Sequence, residues 1–162
     1  MILDGLSFLS GSLTTTGGFV GQAVNGAGNF LSTNTMDLAP LTLGGNQLSD
    51  YGQGEKLRFA VTVLTAPTVG VSVKFQLIQA DDAALTSNVQ VINSTDDIPI
   101  ANLLAGTLVP MRLGQTAYPP KRYLGMRYTN TGAIATASYI AGFLRDVQSL
   151  KTTIFKAGWA IN

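Results

Sequence analysis

Two alternating segments between Leu57 and Asp82 constrain the fold of this chain more than any other part of its sequence. In both segments an apolar side chain stands at every second position, a period that is typical of half-buried β-strands. The apolar positions are Leu57, Phe59, Val61 and Val63, followed by Val69, Val71, Val73, Phe75 and Leu77. Residues 65–68 include a proline and form a short connection, and short connections join antiparallel strands. We therefore predict an adjacent antiparallel pair that forms one wall of a sandwich core.

The length and composition of the chain fit a single domain stabilised by burial of apolar side chains. A chain of 162 residues can bury its own hydrophobic core. It contains no cysteine, so disulfides and thiolate metal sites are excluded. Charged residues make up only 12% of the chain, against about 25% in typical soluble domains. Because charged residues are depleted from the centres of protein interfaces, this composition predicts large contact surfaces with other proteins.

The charge distribution gives no reason to expect nucleic acid or a membrane as a partner. The formal net charge is only +1, and no apolar run approaches the roughly 20 residues that cross a bilayer. No lysine or arginine precedes Lys56, whereas a secretory signal peptide needs a basic start. We therefore expect synthesis in a cytosol, without secretion.

Short strands separated by turns at intervals of about ten residues run through the rest of the chain, and they predict an all-β sandwich or barrel. Further strands are predicted at 32–39, 89–92, 107–113, 122–129 and 134–144, with a hairpin turn at 130–132. Residues 98–106 fit either a short helix or an extended edge piece, and the sequence does not distinguish the two. We place the sandwich domain at residues 32–148.

Both ends of the chain are predicted to form arms outside the sandwich. Residues 1–31 are rich in glycine, which disfavours a self-supporting helix, and their phenylalanines are too widely spaced for a core strand. Residues 149–162 are apolar but irregular. We expect the first arm to lie on a neighbouring subunit or along the flank of the domain.

The chemistry needed by most enzymes is missing from this sequence. It contains no histidine, which excludes histidine-assisted nucleophiles, imidazole acid–base catalysis and histidine-ligated metals. Two acidic pairs, Asp81 with Asp82 and Asp96 with Asp97, lack the spacing of a calcium loop. We interpret them as turn and cap residues, because an aspartate side chain readily binds nearby backbone amides. No catalytic residue, cofactor or metal site is predicted.

One cluster interleaves basic and aromatic side chains, as in proteins that bind single-stranded nucleic acid. Its members are Tyr118, Lys121, Arg122, Tyr123, Arg127 and Tyr128. With so few cations in a nearly neutral chain, we favour a solvated or protein-facing sheet edge. A different class of function stays open: if the tyrosines form an exposed shelf, the domain could be the carbohydrate-binding head of a receptor-recognition or adhesin protein.

From Ser32 onward, the order of segments resembles the capsid cement, or decoration, proteins of short-tailed bacteriophages, typified by a Bordetella phage cement protein. The matching segments are STNTMDLA (32–39), GEKLRFAVTV (54–63), VKFQLIQADDAALTS (73–87), IPIANLLAGTLVPMRL (98–113) and KRYLGMRYTNTGAIATASYIAGFLRDVQ (121–148). The resemblance implies a jelly-roll-like sandwich that forms small homo-oligomers on the outside of an icosahedral shell, joins neighbouring major capsid subunits and has no catalytic residues.

Aromatic and basic side chains are the expected partner-binding residues of such a protein. Aromatic residues dominate interface hot spots, and arginine forms strong hydrogen bonds with carboxylates. The candidates are Phe8, Phe19, Phe30, Arg122, Arg127, Phe155 and Trp159. The expected partners are the major capsid protein and further copies of this chain, as a homotrimer in preference to a homodimer.

Overall fold

The computed structural model describes residues 8–38, 42–43, 46–47, 58–112 and 120–144, and within these ranges the chain is nearly all β-strand. The strands are β1 (Phe8–Ser10), β2 (Ser12–Leu13), β3 (Phe19–Val20), β4 (Gln22–Ala23), β5 (Gly26–Leu31), β6 (Met36–Asp37), β7 (Thr42–Leu43), β8 (Asn46–Gln47), β9 (Arg58–Thr68), β10 (Ser72–Ala80), β11 (Gln90–Ser94), β12 (Ile98–Pro99), β13 (Leu108–Arg112), β14 (Tyr123–Ile134) and β15 (Thr136–Leu144). A 3-10 turn, Ile100–Asn102, follows β12. In this part of the chain, no helix has the length and apolar character needed to cross a membrane.

Two antiparallel sheets pack face to face, which confirms the predicted β-sandwich. The first sheet has the strand order β1-β15-β9-β13, with β4 also paired to β15. The second has the order β11-β10-β14-β5, with β12 paired to β10 and β6 paired to β14. The edge strands of both sheets are short, and the two long strands at the centre of each sheet carry most of the core.

The prediction that the two alternating segments pair with each other is wrong. Strand β9 pairs with β13 and β15, whereas β10 pairs with β11, β12 and β14 in the facing sheet. The chain crosses between the sheets at Val69 and Gly70, whose φ angles are 59° and 90°. Each segment therefore contributes to a different wall. The alternation of apolar residues is the same for two facing strands as for two neighbours, so the period alone cannot separate these arrangements.

The chain passes from the second sheet to the first between β14 and β15, as it passes from the first to the second between β9 and β10. The predicted hairpin turn at 130–132 is wrong, because β14 continues to Ile134 with a shift of register against β5. The two crossings lie side by side: the Val71 amide donates to the Thr131 carbonyl at 2.9 Å, and the Ala135 amide donates to the Thr68 carbonyl at 2.8 Å. We call residues 68–72 and 131–136 the double corner.

The predicted inward faces of β9 and β10 are confirmed at six positions, while Leu57 lies outside the described residues. Phe59, Val61 and Val63 face Val73, Phe75 and Leu77, and all six are fully buried. Three aromatic rings occupy the centre, where Phe75 meets Tyr128 and Tyr139 edge-on and the two tyrosines stack with ring centroids 5.3 Å apart. Val69 and Val71 do not belong to this face, because they are 67% and 63% exposed at the double corner.

Residues 8–31, which the sequence analysis assigned to an arm, contribute strands to both sheets. Strands β1 and β4 pair with β15, and β5 pairs with β14. Leu9 and Val24 belong to the main core. Gly11 and Gly17 in this segment take positive φ angles and serve as bends between short strands. The sandwich therefore begins before residue 32, while residues 1–7 and 149–162 lie outside the described residues.

Candidate interaction surfaces

A short hairpin projects from the edge of the first sheet. Strands β2 and β3 form it, and we call residues 12–20 the N-terminal hairpin. The chain leaves the sheet at Gly11, which has φ +80° and leaves no room for a side chain, since a Cβ there would lie 2.6 Å from the Val20 carbonyl oxygen. The hairpin closes through a bond from the Thr14 amide to the Gly18 carbonyl at 2.8 Å. Glycine at these bends fixes the direction in which the hairpin projects.

The N-terminal hairpin exposes apolar side chains. Leu13, Phe19 and Val20 are 40%, 47% and 49% exposed. Large apolar side chains gathered on one exposed element are typical of a protein contact surface. Leu13 and Val20 were missed by the sequence analysis. The signal that could have found them is the run of threonines and glycines between Leu13 and the pair Phe19 and Val20, which is a pattern of hairpin turns.

The predicted aromatic anchors occupy different environments. Phe8 is only 5% exposed and meets the ring of Phe19 edge-on at 6.4 Å between centroids. Phe30 is partly buried and packs against the main core. Phe155 and Trp159 lie outside the described residues. Of the anchors that the structure describes, Phe19 is the most exposed, at about half of its surface.

Arg122 is engaged within its own chain. Its Nε donates to Asp37 Oδ1 at 3.1 Å and its Nη2 donates to Asp37 Oδ2 at 2.9 Å. The guanidinium lies 5.0 Å from the centre of the Tyr123 ring, a cation–π contact. The hydrogen bonds to Asp37 raise the pKa of Arg122. Its charge is therefore paired with a carboxylate of its own chain.

Arg127 has a different environment on the outer face of the second sheet. Its Nε donates to Gln76 Oε1 at 2.7 Å, across the strand pair β10 and β14. Gln76 is neutral, and among the described residues Arg127 has no carboxylate within ion-pair distance. Arg127 therefore keeps a charge that a partner's carboxylate can bind.

The tyrosines of the basic and aromatic cluster do not form an exposed shelf. Tyr128 is fully buried, and its hydroxyl donates to Ser10 Oγ at 2.7 Å. Burial raises the pKa of Tyr128. Tyr123 is partly buried against a small cluster around Leu85, and Tyr118 lies outside the described residues. Sugar rings need exposed aromatic faces to stack on, and neither described tyrosine of the cluster offers one.

Asp82 closes a turn, as predicted for both acidic pairs, whereas Asp81 and Asp97 form ion pairs that the sequence analysis did not predict. Asp82 Oδ1 accepts hydrogen bonds from the amides of Thr86 and Ser87 at 2.8 Å and 2.7 Å. Asp81 accepts from Lys121 Nζ at 3.0 Å. The Lys121 ammonium lowers the pKa of Asp81, and the Ser87 amide lowers that of Asp82. The described residues include no group of three or more side chains able to hold a metal ion.

The loop closed by Asp82 also carries a buried anchor that the sequence analysis missed. Leu85 is 2% exposed, has φ 57°, and packs with Ile78 and Ala80 on the outer face of the second sheet. It lies directly over Gly125, where an added Cβ would meet the Leu85 Cδ1 atom. The glycine of β14 therefore makes the space that the leucine fills.

The chain falls in the class of bacteriophage structural proteins, because it matches the model of a phage protein family. The Bbp16 family model matches residues 20–144, more than three quarters of the chain. The chain therefore belongs to the Bbp16 family, a family of Bordetella phage proteins, which confirms the resemblance found in the sequence. The match begins within the segment that was predicted to be an arm. No curated protein matches the chain.

Proposed function

We propose that this phage structural protein decorates the outside of an icosahedral capsid and stabilises it by joining neighbouring major capsid subunits. The role is non-enzymatic. Family membership supports a virion protein, and the exposed surfaces of the sandwich support a role in protein contacts. Synthesis takes place in the host cytoplasm, and the protein acts as a homo-oligomer, a trimer in preference to a dimer.

The observation that carries this proposal is the N-terminal hairpin. It presents Leu13, Phe19 and Val20 away from the sheet edge, where a shell subunit can cover them. Burying exposed apolar area contributes about 25 cal/mol for each Å², so a few such side chains give a modest local contact. Contacts of one oligomer on several subunits then reinforce one another through effective concentration, and the linked set is strong.

Arg127 supplies the polar part of the proposed contact. Its guanidinium has a neutral partner on its own sheet and keeps its charge for a carboxylate on the shell. Such a pair weakens as salt rises, whereas apolar burial does not. Binding of the oligomer to shells should therefore combine a salt-sensitive and a salt-insensitive part.

The test is occupancy on shells that lack the protein, to which purified variants are added back. A double substitution, Phe19→Ser with Val20→Ser, should lower the affinity by about tenfold or more, because hot-spot side chains contribute at least that much. Val91→Ser removes another exposed valine, on β11, and serves as the matched control. Occupancy is measured by imaging the particles, and the temperature of shell rupture is measured in parallel.

Full occupancy and unchanged heat resistance with the double variant would contradict the hairpin as the contact. Absence of any density for the wild-type protein on intact particles would contradict capsid decoration itself. The melting temperature of each purified variant controls for loss of fold. Phe155→Ala and Trp159→Ala test the anchors predicted in the C-terminal segment in the same assay.

A further inference from the structure

The double corner is formed by two stretches of chain that carry no charge. No charged residue lies between Arg58 and Lys74 or between Arg127 and Arg145. Both stretches reach the same end of the sandwich, since Thr68 pairs with Thr136 and Ser72 pairs with Thr131. With charged residues at only 12% of the chain, long uncharged stretches are expected, but here two such stretches lie next to each other in space.

The double corner also presents exposed apolar side chains from a rigid backbone. Val69 and Val71 are 67% and 63% exposed, more than any other valine among the described residues. Val69 has φ 59°, in the left-handed region that β-branched residues avoid. Asparagine or glycine would fit this conformation with less strain and without an apolar surface. A strained, exposed valine therefore favours a function for the side chain itself.

We infer that copies of this chain associate with one another through the double corner. In a closed cyclic oligomer, residues near the symmetry axis face the same residues of the neighbouring copies. A charged group there would meet its own charge, which costs free energy, whereas an uncharged patch meets itself without repulsion. The sequence and the structure together place such a patch at one end of the sandwich.

The backbone of the double corner suits a close contact between copies. The amides of Val71 and Ala135 are bonded across the two crossings, so the corner is held from both sides. Valine has few rotamers, so little side-chain freedom is lost when it is covered. The Ile100 amide donates to the Val71 carbonyl at 3.1 Å, so the segment that begins at Ile100 lies beside the corner. Leu104, further along the same segment, is exposed.

The test is the oligomeric state of the purified full chain, measured by sedimentation velocity over a range of concentrations. The wild-type chain should form a closed oligomer. Val69→Asn and Val71→Lys should each weaken association by about tenfold or more, because each removes a central apolar contact. Val91→Lys places the same charge on an exposed valine of β11 and should leave association unchanged.

Thermal unfolding separates loss of association from loss of fold. Val69→Asn relieves the left-handed strain, so its monomer should unfold at the same temperature as the wild-type monomer or higher. A wild-type chain that stays monomeric, or corner variants that associate as tightly as the wild type, would overturn the inference. The inference rests on the homo-oligomer of the proposed function, but the measurement uses no shells, so its failure is distinguishable from a failure of capsid decoration.

Discussion

The two ends of the sandwich are held together by different interactions. At the double corner, the crossings join through backbone hydrogen bonds and through glycines, and a Cβ on Gly132 would lie 3.2 Å from the Gly70 Cα. At the opposite end, charged side chains make the connections. We call residues 37, 81–82 and 121–122 the charged end. The connections within the double corner therefore depend on the fit of the backbone, and those of the charged end depend on the state of its charges.

The ion pairs of the charged end join segments that are distant in the sequence. Lys121 Nζ contacts Asp81 at 3.0 Å and donates to the Asn88 carbonyl at 2.6 Å. Arg122 and Asp37 are each about one-third exposed. Exposed ion pairs contribute little to stability, but they respond to pH and salt. The backbone hydrogen bonds of the double corner are therefore insensitive to pH and salt, whereas the ion pairs of the charged end weaken or strengthen with both.

The largest expected effect is that of a single methyl group at the double corner. Gly70→Ala forces a side chain into a backbone with φ +90° and places its Cβ 2.8 Å from Ile134 Cγ1. We expect the free energy of unfolding to fall by about 2–3 kcal/mol, from strain and overpacking together. Denaturant unfolding of the purified chain measures this change.

Gly106→Ala is the matched control, because Gly106 has φ +87° with open space around its Cβ position. It should show the backbone strain alone, about 1 kcal/mol. If Gly70→Ala and Gly106→Ala lowered the free energy of unfolding equally, the close approach of the added Cβ to Ile134 would add no cost.

The second prediction concerns the loop beside the charged end. Leu85→Ala removes a buried side chain from the cluster with Ile78 and Ala80 and should lower the free energy of unfolding by about 2 kcal/mol. Gly125→Ala should displace the same leucine, because the added Cβ meets Leu85 Cδ1. The double variant should then lose less than the sum of the single losses, since both act on one contact. Additive losses would show that the leucine and the glycine act independently.

Away from the double corner, the sequence was sufficient to predict which faces of β9 and β10 are buried, because a period of two depends only on the backbone of a strand. It was not sufficient to assign strands to sheets: β9 and β10 have the same inward alternation whether they pair or face each other. The fit between Leu85 and Gly125 depends on residues far apart in the chain, and no local pattern indicates it. The anchors Phe19 and Phe8 looked equivalent in the sequence, and only the packing of the first sheet makes one exposed and the other buried.

The third prediction uses the centre of the sandwich as a reference for both ends. Tyr128 and Tyr139 stack in the core, but only Tyr128 has a hydroxyl partner, Ser10, whereas the buried Tyr139 hydroxyl has none among the described residues. Tyr139→Phe should raise the free energy of unfolding by about 1 kcal/mol, since it removes an unsatisfied buried group. Tyr128→Phe should lower it by about as much, because it leaves Ser10 without its donor.

Burial raises the pKa of both tyrosines, so alkaline pH should destabilise the wild-type chain. The unfolded chain ionises above about pH 10 while the folded chain resists, and stability is lost as pH rises from that value. Each Phe variant should flatten this loss. If neither variant changed the slope of stability against pH, the tyrosines would not be the cause of the alkaline loss.

The smallest effect tests the comparison of the two ends most directly. Hydrogen bonds lower the pKa of Asp81 and Asp82 below the ordinary value of 3.8, so their contribution is present above about pH 4 and is lost as pH falls through the folded-state values. Hydrogen exchange, corrected for its intrinsic rate, should show the Thr86 and Ser87 amides losing protection on acidification. The Val71 amide at the double corner should keep its protection, because no carboxylate holds it.

Asp82→Asn should reproduce the local loss at neutral pH, and Asp96→Asn, which changes an exposed aspartate on another loop, should not. The comparison of ends requires that protection at the corner be independent of these carboxylates. If acid exposed the Val71 amide together with the Ser87 amide, the two ends would open as one cooperative unit, and the separation between a fixed and a responsive end would not exist.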